Sequence, residues 1–247
     1  MTRQTVKREI IVGINAVAGL LETAPERIVR VWLNPSSSRL TQLQRELESS
    51  SIAVETCDGQ TLDKRSQGLR HQGVVAEFKP SSPLGEANLA AIVEQQQQPL
   101  LLVLDGVQDP HNLGACLRSA AAAGAAAVII PKDRAAGLTP VARRASAGAS
   151  ERIPLIVVTN LARTLRSLQA QGIWCVGLAG QASVSLYEAD LNGPLALVLG
   201  SEESGLRQLT EKTCDQLVHI PMPGAVESLN VSVSAGIALF ESLRARR

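Results

Sequence analysis

The sequence predicts an α/β protein in two parts, and the second part is predicted to hold a mostly parallel sheet with helices on both faces. From residue 100 onward, continuous apolar runs of four to six residues alternate with helical stretches. Strands that are covered on both faces require such runs. A turn-rich stretch with Pro80, Pro83 and Pro99 separates this half from a smaller first half. The length of 247 residues fits one large domain or two small ones.

The first half, residues 1–78, alternates short β-rich runs with helical patterns. Leu40, Leu43 and Leu47 recur at helical spacing and predict a helix between two of the runs. The predicted strands are 10–13, 28–33, 52–56 and 73–78. We therefore expect a small α/β domain here, followed by a linker over residues 79–99 that contains a helix.

The second half, residues 100–247, repeats a unit of strand, loop and helix. Its last helix is predicted from about Val231 to Arg244, where one face is apolar. The predicted strands are 100–104, 127–130, 153–158, 174–178, 195–199 and 217–221. Strands that alternate with helices in this way favour a doubly covered, mostly parallel sheet.

The composition excludes several classes of nucleic-acid-binding domain. Two Trp, one Tyr and two Phe are too few for a surface on which successive bases stack. Lys and Arg number 24 against 23 acidic residues, so no basic field covers a whole domain. Any nucleic-acid partner must therefore be held by a local patch.

The four cysteines are far apart and form no C-x-x-C pair, which predicts reduced and mostly buried thiols. The basic start with Arg3, Lys7 and Arg8 precedes an apolar run, as in a signal peptide, but Glu9 and Asn15 interrupt that pattern. The most apolar later stretch, 120–130, is shorter than the roughly 20 residues that cross a bilayer. We therefore expect a cytoplasmic protein without a membrane segment.

Several common kinds of active site are missing from the sequence. It contains no G-x-x-x-x-G-K-[ST] phosphate loop, no G-x-G-x-x-G fingerprint after the first strand of the second half, and no G-x-S-x-G elbow. The three histidines, His71, His111 and His219, have no Cys or carboxylate partner at ligand spacing. We expect no catalytic metal.

Three polar segments follow predicted strands, at the edge where open α/β sheets bind ligands. Motif one, residues 109–118, reads D-P-H-N-L-G-A-C-L-R; motif two, residues 200–207, reads G-S-E-E-S-G-L-R; and motif three, residues 220–234, reads I-P-M-P-G-A-V-E-S-L-N-V-S-V-S. Asn112 has the residue type that caps helices, and Gly200 lets a ligand approach the backbone. The alternative is that these are ordinary loops and helix starts.

These three motifs, in this order and spacing, resemble those of the SpoU/TrmH branch of the SPOUT RNA ribose 2′-O-methyltransferases. Residues 13–17 (G-I-N-A-V) and 70–76 (R-H-Q-G-V-V-A) add a resemblance to the amino-terminal RNA-binding domain of the family's 23S rRNA guanosine methyltransferases. The resemblance covers nearly the whole chain. Asn15 departs from it, because relatives usually carry His at that position.

The resemblance implies a carboxy-terminal trefoil knot, bound S-adenosylmethionine and a homodimer that methylates a guanosine ribose in 23S rRNA. It assigns the cofactor to Gly200, Ile220, Met222 and Leu229. The catalytic residues that it implies are Asn112, Arg118, Glu202, Ser228 and Asn230. A guanidinium is almost always protonated, so we interpret Arg118 as a phosphate grip and alkoxide stabiliser rather than as a base.

A local basic run supplies candidate RNA contacts. Residues 132–152 contain Lys132, Arg134, Arg143, Arg144 and Arg152 against Asp133 and Glu151. We predict phosphate contacts from Lys132, Arg143 and Arg144, although such a run is also typical of a solvated face. Arg70 and His71 are further candidates, and the alternative for them is a well-satisfied turn before the next strand.

Two other functions stay open on the sequence. One is a ribose methyltransferase that acts on tRNA, and the other is an RNA-binding ribosome-assembly protein without turnover. Methylation of protein-free rRNA or tRNA with labelled cofactor separates the three.

Overall fold

The computed structural model describes residues 8–81 and 83–246, which divide into two compact units. The first unit holds residues 8–81 together with Leu138–Arg152, and the second holds residues 83–137 and 153–246. Arg3 and Lys7 of the basic start lie outside the described residues. Residues 138–152 are expected in the carboxy-terminal domain from the sequence, so their place in the first unit differs from that expectation.

The first unit is built on a four-stranded sheet with the order β1-β4-β2-β3. Strand β4 pairs antiparallel with β1 and β2, and β3 adds to β2 in parallel. The strands are β1 (Glu9–Val12), β2 (Ile28–Leu33), β3 (Val54–Thr56) and β4 (Val74–Phe78). All four were predicted, with ends that differ by one or two residues, as expected where chain ends fray.

Three helices cover the two faces of this sheet: α1 (Ile14–Thr23), α2 (Ser38–Ser49) and α3 (Gly59–Arg65). Leucines of α1 and α2 join the core on one face, and Leu62 of α3 packs with Trp32 on the other. Side-chain caps begin two of the helices. Ser37 accepts the Leu40 N–H at 3.4 Å, and Asp58 accepts the Thr61 N–H at 2.8 Å.

Residues 138–152 join the first unit through a buried arginine. Helix α6 (Pro140–Ala145) carries Arg143, which is 5% exposed, with its guanidinium 5.0 Å from the Phe78 ring centre. Arg143 also hydrogen-bonds Glu151, whose side chain is 2% exposed. Glu151 also pairs with Arg27, which directly precedes β2, at 3.5 Å. The contacts with Phe78 and Arg27 therefore hold the segment against the sheet.

The second unit holds a sheet whose order among the described strands is β7-β6-β5-β10-β8-β11-β9. Every pairing in it is parallel. The strands are β5 (Leu100–Asp105), β6 (Ala127–Pro131), β7 (Leu155–Val158), β8 (Trp174–Leu178), β9 (Val184–Ser185), β10 (Leu195–Gly200) and β11 (Gln216–His219). The predicted parallel sheet is confirmed, and the trefoil knot stays a prediction because strand order alone does not decide how a chain threads.

Helices cover both faces of this sheet. Leu89 and Val93 of α4 lie in one core with the leucines of α7, and α5 packs against α9. The helices are α4 (Glu86–Glu94), α5 (Pro110–Ala122), α7 (Leu161–Gln169), α8 (Gln208–Thr213) and α9 (Val231–Ala245). This coverage explains the continuous apolar runs, because neither face of β5 or β10 meets water.

Most of the stretch predicted as a linker, residues 79–99, belongs to the second unit. Leu84 forms a parallel bridge with Ile156, and its carbonyl accepts the Val157 N–H at 2.8 Å. Residues 83–99 are therefore a structured part of that unit. Among the described residues, no helix is both long and apolar enough to cross a membrane.

Candidate functional site

The three motifs follow strands that end at one edge of the second unit's sheet. Motif one follows β5, motif two follows β10, and motif three follows β11. Strands β5 and β10 are direct neighbours, and β8 lies between β10 and β11. Parallel strands present their carboxyl ends at the same edge, so the fold brings the three loops together.

One predicted catalytic side chain from each motif meets the other two. Asn112 donates its Nδ2–H to Glu202 Oε1 at 2.7 Å, and Asn230 donates to the same oxygen at 2.6 Å. Asn230 Nδ2 also lies 3.0 Å from Asn112 Oδ1. We call these residues the Asn-Glu-Asn cluster. Its three hydrogen bonds join positions that are 28 to 118 residues apart in sequence.

Local structure fixes the orientation of each member of the cluster. Asp109, rather than Asn112, caps α5 by accepting the His111 N–H at 2.9 Å, so the Asn112 amide is free to reach Glu202. Asn230 caps α9, where its Oδ1 accepts the Ser232 N–H at 2.9 Å. With Oδ1 used as an acceptor, the Asn230 amide must direct its NH₂ at Glu202.

The other two predicted catalytic residues lie apart from the cluster. Ser228 lines the neighbouring cleft and makes no side-chain hydrogen bond with a described residue. Arg118 is exposed on α5, does not line the cleft, and forms no ion pair or hydrogen bond within residues 8–81 and 83–246. The structure therefore brings together three of the five.

A cleft of about 170 Å³ opens beside the cluster, between the ends of β8, β10 and β11 and the motif-three loop. All four predicted cofactor residues line it: Gly200, Ile220, Met222 and Leu229. The apolar surface of the cleft also includes Leu178, Leu199 and Val218. Glu202 and Glu227 are the carboxylates among the lining residues, so the cleft combines an apolar surface with negative charge.

Gly200 is required by the motif-two loop itself. The sequence analysis interpreted this glycine as room for a ligand, but a Cβ there would lie 2.0 Å from the Gly205 carbonyl carbon. Ser201 and Gly205 exchange both backbone hydrogen bonds, at 3.1 and 2.9 Å. This tight loop sets the position of Glu202 in the cluster.

An ion pair that no sequence motif indicated holds the end of motif two. The Asp105 side chain is fully buried at the end of β5 and accepts the Arg207 backbone N–H at 3.0 Å and its Nε–H at 2.5 Å. A buried carboxylate needs such a partner. The signal in the sequence is an acid that directly follows the apolar run 100–104.

The predicted RNA contacts differ in how accessible they are. Arg70, Lys132 and Arg144 are exposed, and their side chains bond to no described residue. His71 is used within its own turn, where Nδ1 accepts the Gly73 N–H at 3.0 Å and Nε2 lies 3.1 Å from Asp63. Arg143 is buried against Glu151, which is at odds with a phosphate contact, so we remove it from the RNA-binding set.

The cysteines are free thiols, as predicted, and Cys116 and Cys175 are buried. Burial raises the pKa of Cys116 to about 12, with a smaller contribution from the Glu202 carboxylate. Burial likewise raises the pKa of Cys175 and of Cys214 to about 12. At neutral pH these three thiols stay protonated and are poor nucleophiles.

Comparison with known proteins supplies the family context. A family model described as the SpoU rRNA methylase family matches residues 99–240, and one described as RNA 2′-O ribose methyltransferase substrate binding matches residues 10–84. The chain is 50% identical over 244 residues to the 23S rRNA (guanosine-2′-O-)-methyltransferase RlmB of Photobacterium profundum, covering 98% of this chain and 100% of that protein.

Solved structures resemble the fold over nearly its full length. A crystal structure of an RNA 2′-O ribose methyltransferase has a TM-score of 0.80 at 27% identity, covering 98% of this chain and 90% of that chain. The SpoU methyltransferase AviRb from Streptomyces viridochromogenes, in complex with the cofactor AdoMet, has a TM-score of 0.77 at 23% identity. It covers 96% of this chain and 90% of that chain, and at this identity the likeness concerns the fold alone.

Proposed function

The chain belongs to the SpoU rRNA methylase family, and from this premise we propose that it methylates the ribose 2′-oxygen of a guanosine in 23S rRNA, using S-adenosylmethionine. The observation that carries the proposal is the Asn-Glu-Asn cluster, which joins all three motifs beside the cleft. We also propose a cytoplasmic location, because the proposed substrate is ribosomal RNA.

The cleft fits the chemistry of the proposed cofactor. Its apolar wall of Leu199, Ile220 and Leu229 suits the faces of an adenine. The carboxylates of Glu202 and Glu227 suit a ligand that carries positive charge. A Cβ built at Gly180, another lining residue, would meet no heavy atom within 4 Å, so the space in front of it is open.

S-adenosylmethionine supplies a methyl carbon that is already activated by a positively charged sulfur. The protein must therefore align the acceptor oxygen with that carbon, and positioning supplies much of the rate. The ribose hydroxyl is the weak partner, because it is scarcely ionised at neutral pH. A positive charge near the developing alkoxide lowers this barrier, and Arg118 is the motif residue with a free charge for that role.

Glu202 is a positioning residue in this scheme. Its Oε1 accepts hydrogen bonds from both asparagine amides and lies 3.3 Å from the Val231 N–H. An ordinary carboxylate is also far too weak a base for a ribose hydroxyl. In this scheme Glu202 holds motifs one and three in their relative positions. Arg118 binds the target phosphate and stabilises the alkoxide, and water or a neighbouring acceptor takes the proton.

A labelled-methyl assay tests the function. The purified protein, labelled S-adenosylmethionine and protein-free 23S rRNA should yield 2′-O-methylguanosine after nuclease digestion, whereas tRNA should yield none. Label in tRNA alone would favour the tRNA alternative, and RNA binding without label would favour the assembly-protein alternative. Mapping 2′-O-methylation on large-subunit rRNA from a strain that lacks the gene should reveal one missing guanosine methyl group.

We expect RNA affinity to depend on the exposed cations Lys132 and Arg144. Reversing both charges with Lys132→Glu and Arg144→Glu should weaken binding of an rRNA fragment and flatten the plot of log Kd against log salt by about 1 per lost phosphate contact. The matched control is Arg166→Glu, an exposed arginine on α7. An unchanged slope in the double variant would remove these two residues from the RNA surface.

We propose a homodimer that uses the outer face of α9. Val233 and Phe240 are each 49% exposed on this helix, at positions three before and four after Gly236. At helical spacing the three residues form one stripe. A Cβ at Gly236 would lie 3.7 Å from Ser119 Oγ, so the stripe runs beside α5 and the residue next to Arg118. Arg118 has no partner within residues 8–81 and 83–246, and a second copy bound on this stripe would place other side chains near it.

The double variant Val233→Glu, Phe240→Glu should be a monomer because it buries charge in the proposed interface. Light scattering after gel filtration should show half the mass of the wild type, and methyl transfer should fall at least about 10-fold, the scale of one lost positioning contact. Leu209→Glu, at a residue that is 56% exposed on α8, is the control and should leave the mass unchanged. A monomeric wild type, or a dimeric double variant, would contradict the proposal.

A further inference from the structure

His219 lines the cleft but has no role in the mechanism proposed above. It is the last residue of β11 and directly precedes Ile220, a predicted cofactor contact. Its backbone is fixed, because its Cα pairs with Ser185 of β9 and its carbonyl accepts the Leu186 N–H at 2.8 Å. The residue therefore has a defined backbone position at the edge of the sheet.

The environment of the ring selects one tautomer. His219 Nδ1 is buried and has no hydrogen-bond partner among the described residues. A proton on that nitrogen would be a buried N–H without an acceptor, which is costly. Of the two tautomers, the one that carries its proton on Nε2 is therefore favoured.

This tautomer adds a directional hydrogen-bond donor to the part of the cleft that Val218 and Ile220 line. Nε2 bonds to no described residue, and unlike Nδ1 it is not a buried unpartnered atom. The nearest lining residues in sequence are Val218 and Ile220, which are apolar. The lining carboxylates, Glu202 and Glu227, belong to the motif-two and motif-three loops and suit the charged part of a ligand.

Resting on the function proposed above, we infer that His219 binds the cofactor through its Nε2–H, which donates a hydrogen bond to an acceptor atom of the adenosyl group of S-adenosylmethionine. Adenine and ribose offer several acceptors; the methionyl carboxylate is also an acceptor, and titration with methylthioadenosine, which lacks it, separates the two parts of the ligand. The residue thus fixes the orientation of the adenosyl group, while the carboxylates face the cationic part.

The test compares ligands and variants by isothermal titration calorimetry of the full chain. The ligands are S-adenosylmethionine, S-adenosylhomocysteine and methylthioadenosine, which keeps the adenosyl group but lacks the amino acid. His219→Phe keeps a ring without a donor, and His219→Gln keeps an N–H near the Nε2 position. Tyr187→Phe is the control, an exposed ring two residues beyond Ser185 that does not line the cleft. Thermal unfolding midpoints check that each variant is folded.

We expect His219→Phe to weaken all three ligands by the same factor, about 3- to 10-fold, the size of one neutral hydrogen bond. His219→Gln should stay within about 2-fold of the wild type, since it restores the donor. Wild-type affinity in His219→Phe would overturn the inference. So would a loss confined to the two ligands with an amino acid, or an equal loss in both variants. A wild type that binds none of the three ligands would instead refute the proposed function.

Discussion

Replacing Arg118 with alanine is expected to lower the single-turnover rate of methyl transfer by about 10²- to 10³-fold, the effect of removing one group that stabilises developing negative charge. The same change should leave cofactor affinity and the unfolding midpoint nearly unchanged. Arg118 is exposed, lies outside the cleft and has no partner in the described chain. Its removal therefore costs neither packing nor an ion pair. Rapid-quench measurement with labelled cofactor checks the rate.

Arg166→Ala is the control, because it removes an exposed arginine from the middle of α7 in the same unit. A wild-type rate in Arg118→Ala would contradict the proposed role. Arg118→Lys separates the two chemical roles of the side chain. If the guanidinium acts as a base, the lysine variant should show a new ionisation in its pH–rate profile; if it stabilises charge, the profile should keep its shape at a lower rate.

Replacing Gly200 with alanine is expected to weaken cofactor binding by at least about 10-fold and to lower the free energy of unfolding by about 1–3 kcal/mol, the usual cost of overpacking. The added Cβ would lie 2.0 to 2.2 Å from the backbone of Gly205 and Leu206. Backbone cannot yield as a flexible side chain does, so the Ser201–Gly205 loop must shift and take Glu202 out of the cluster. Calorimetric titration and urea unfolding measure the two effects.

The matched control is Gly137→Ala in the same unit, where a Cβ meets no heavy atom within 4 Å. It should bind the cofactor as the wild type does. If Gly200→Ala also bound normally, the loop would not be the rigid support that the geometry indicates.

Much of the fold follows from local pattern. The runs at β5 and β10 are apolar throughout because helices cover both faces, and this condition is visible in the sequence itself. Strand β9 was missed because two residues, Val184 and Ser185, cannot show a pattern. The place of residues 138–152 was missed for another reason. Their packing on Phe78 is a long-range contact, which no local pattern records.

The candidate site, too, could be predicted from the sequence only in part. The motifs located Asn112, Glu202 and Asn230, and the structure brings these three together. The charge pattern led to an RNA contact being predicted for Arg143. A positive charge in a sequence does not reveal which group it pairs with, and here the partner is the buried carboxylate of Glu151. His219 was considered only as a metal ligand and Asp105 was given no role, since neither forms a motif. Their significance comes from an unpartnered ring nitrogen and from a buried carboxylate paired with Arg207.

The first unit is formed by two separate stretches of the chain, and this limits where the protein can be cut or recombined. Because Leu138–Arg152 returns to that unit from within the second, no single cut yields two complete halves. A fragment that ends near residue 99 would lose Arg143 from above the Phe78 ring and leave an apolar surface bare. Consider a recombinant of two relatives with a single crossover between the first unit's sheet and residues 138–152. It would combine the sheet of one parent with the 138–152 segment of the other. Arg143, Glu151 and Phe78 must therefore be inherited as a set, although Phe78 lies far from the other two in the gene.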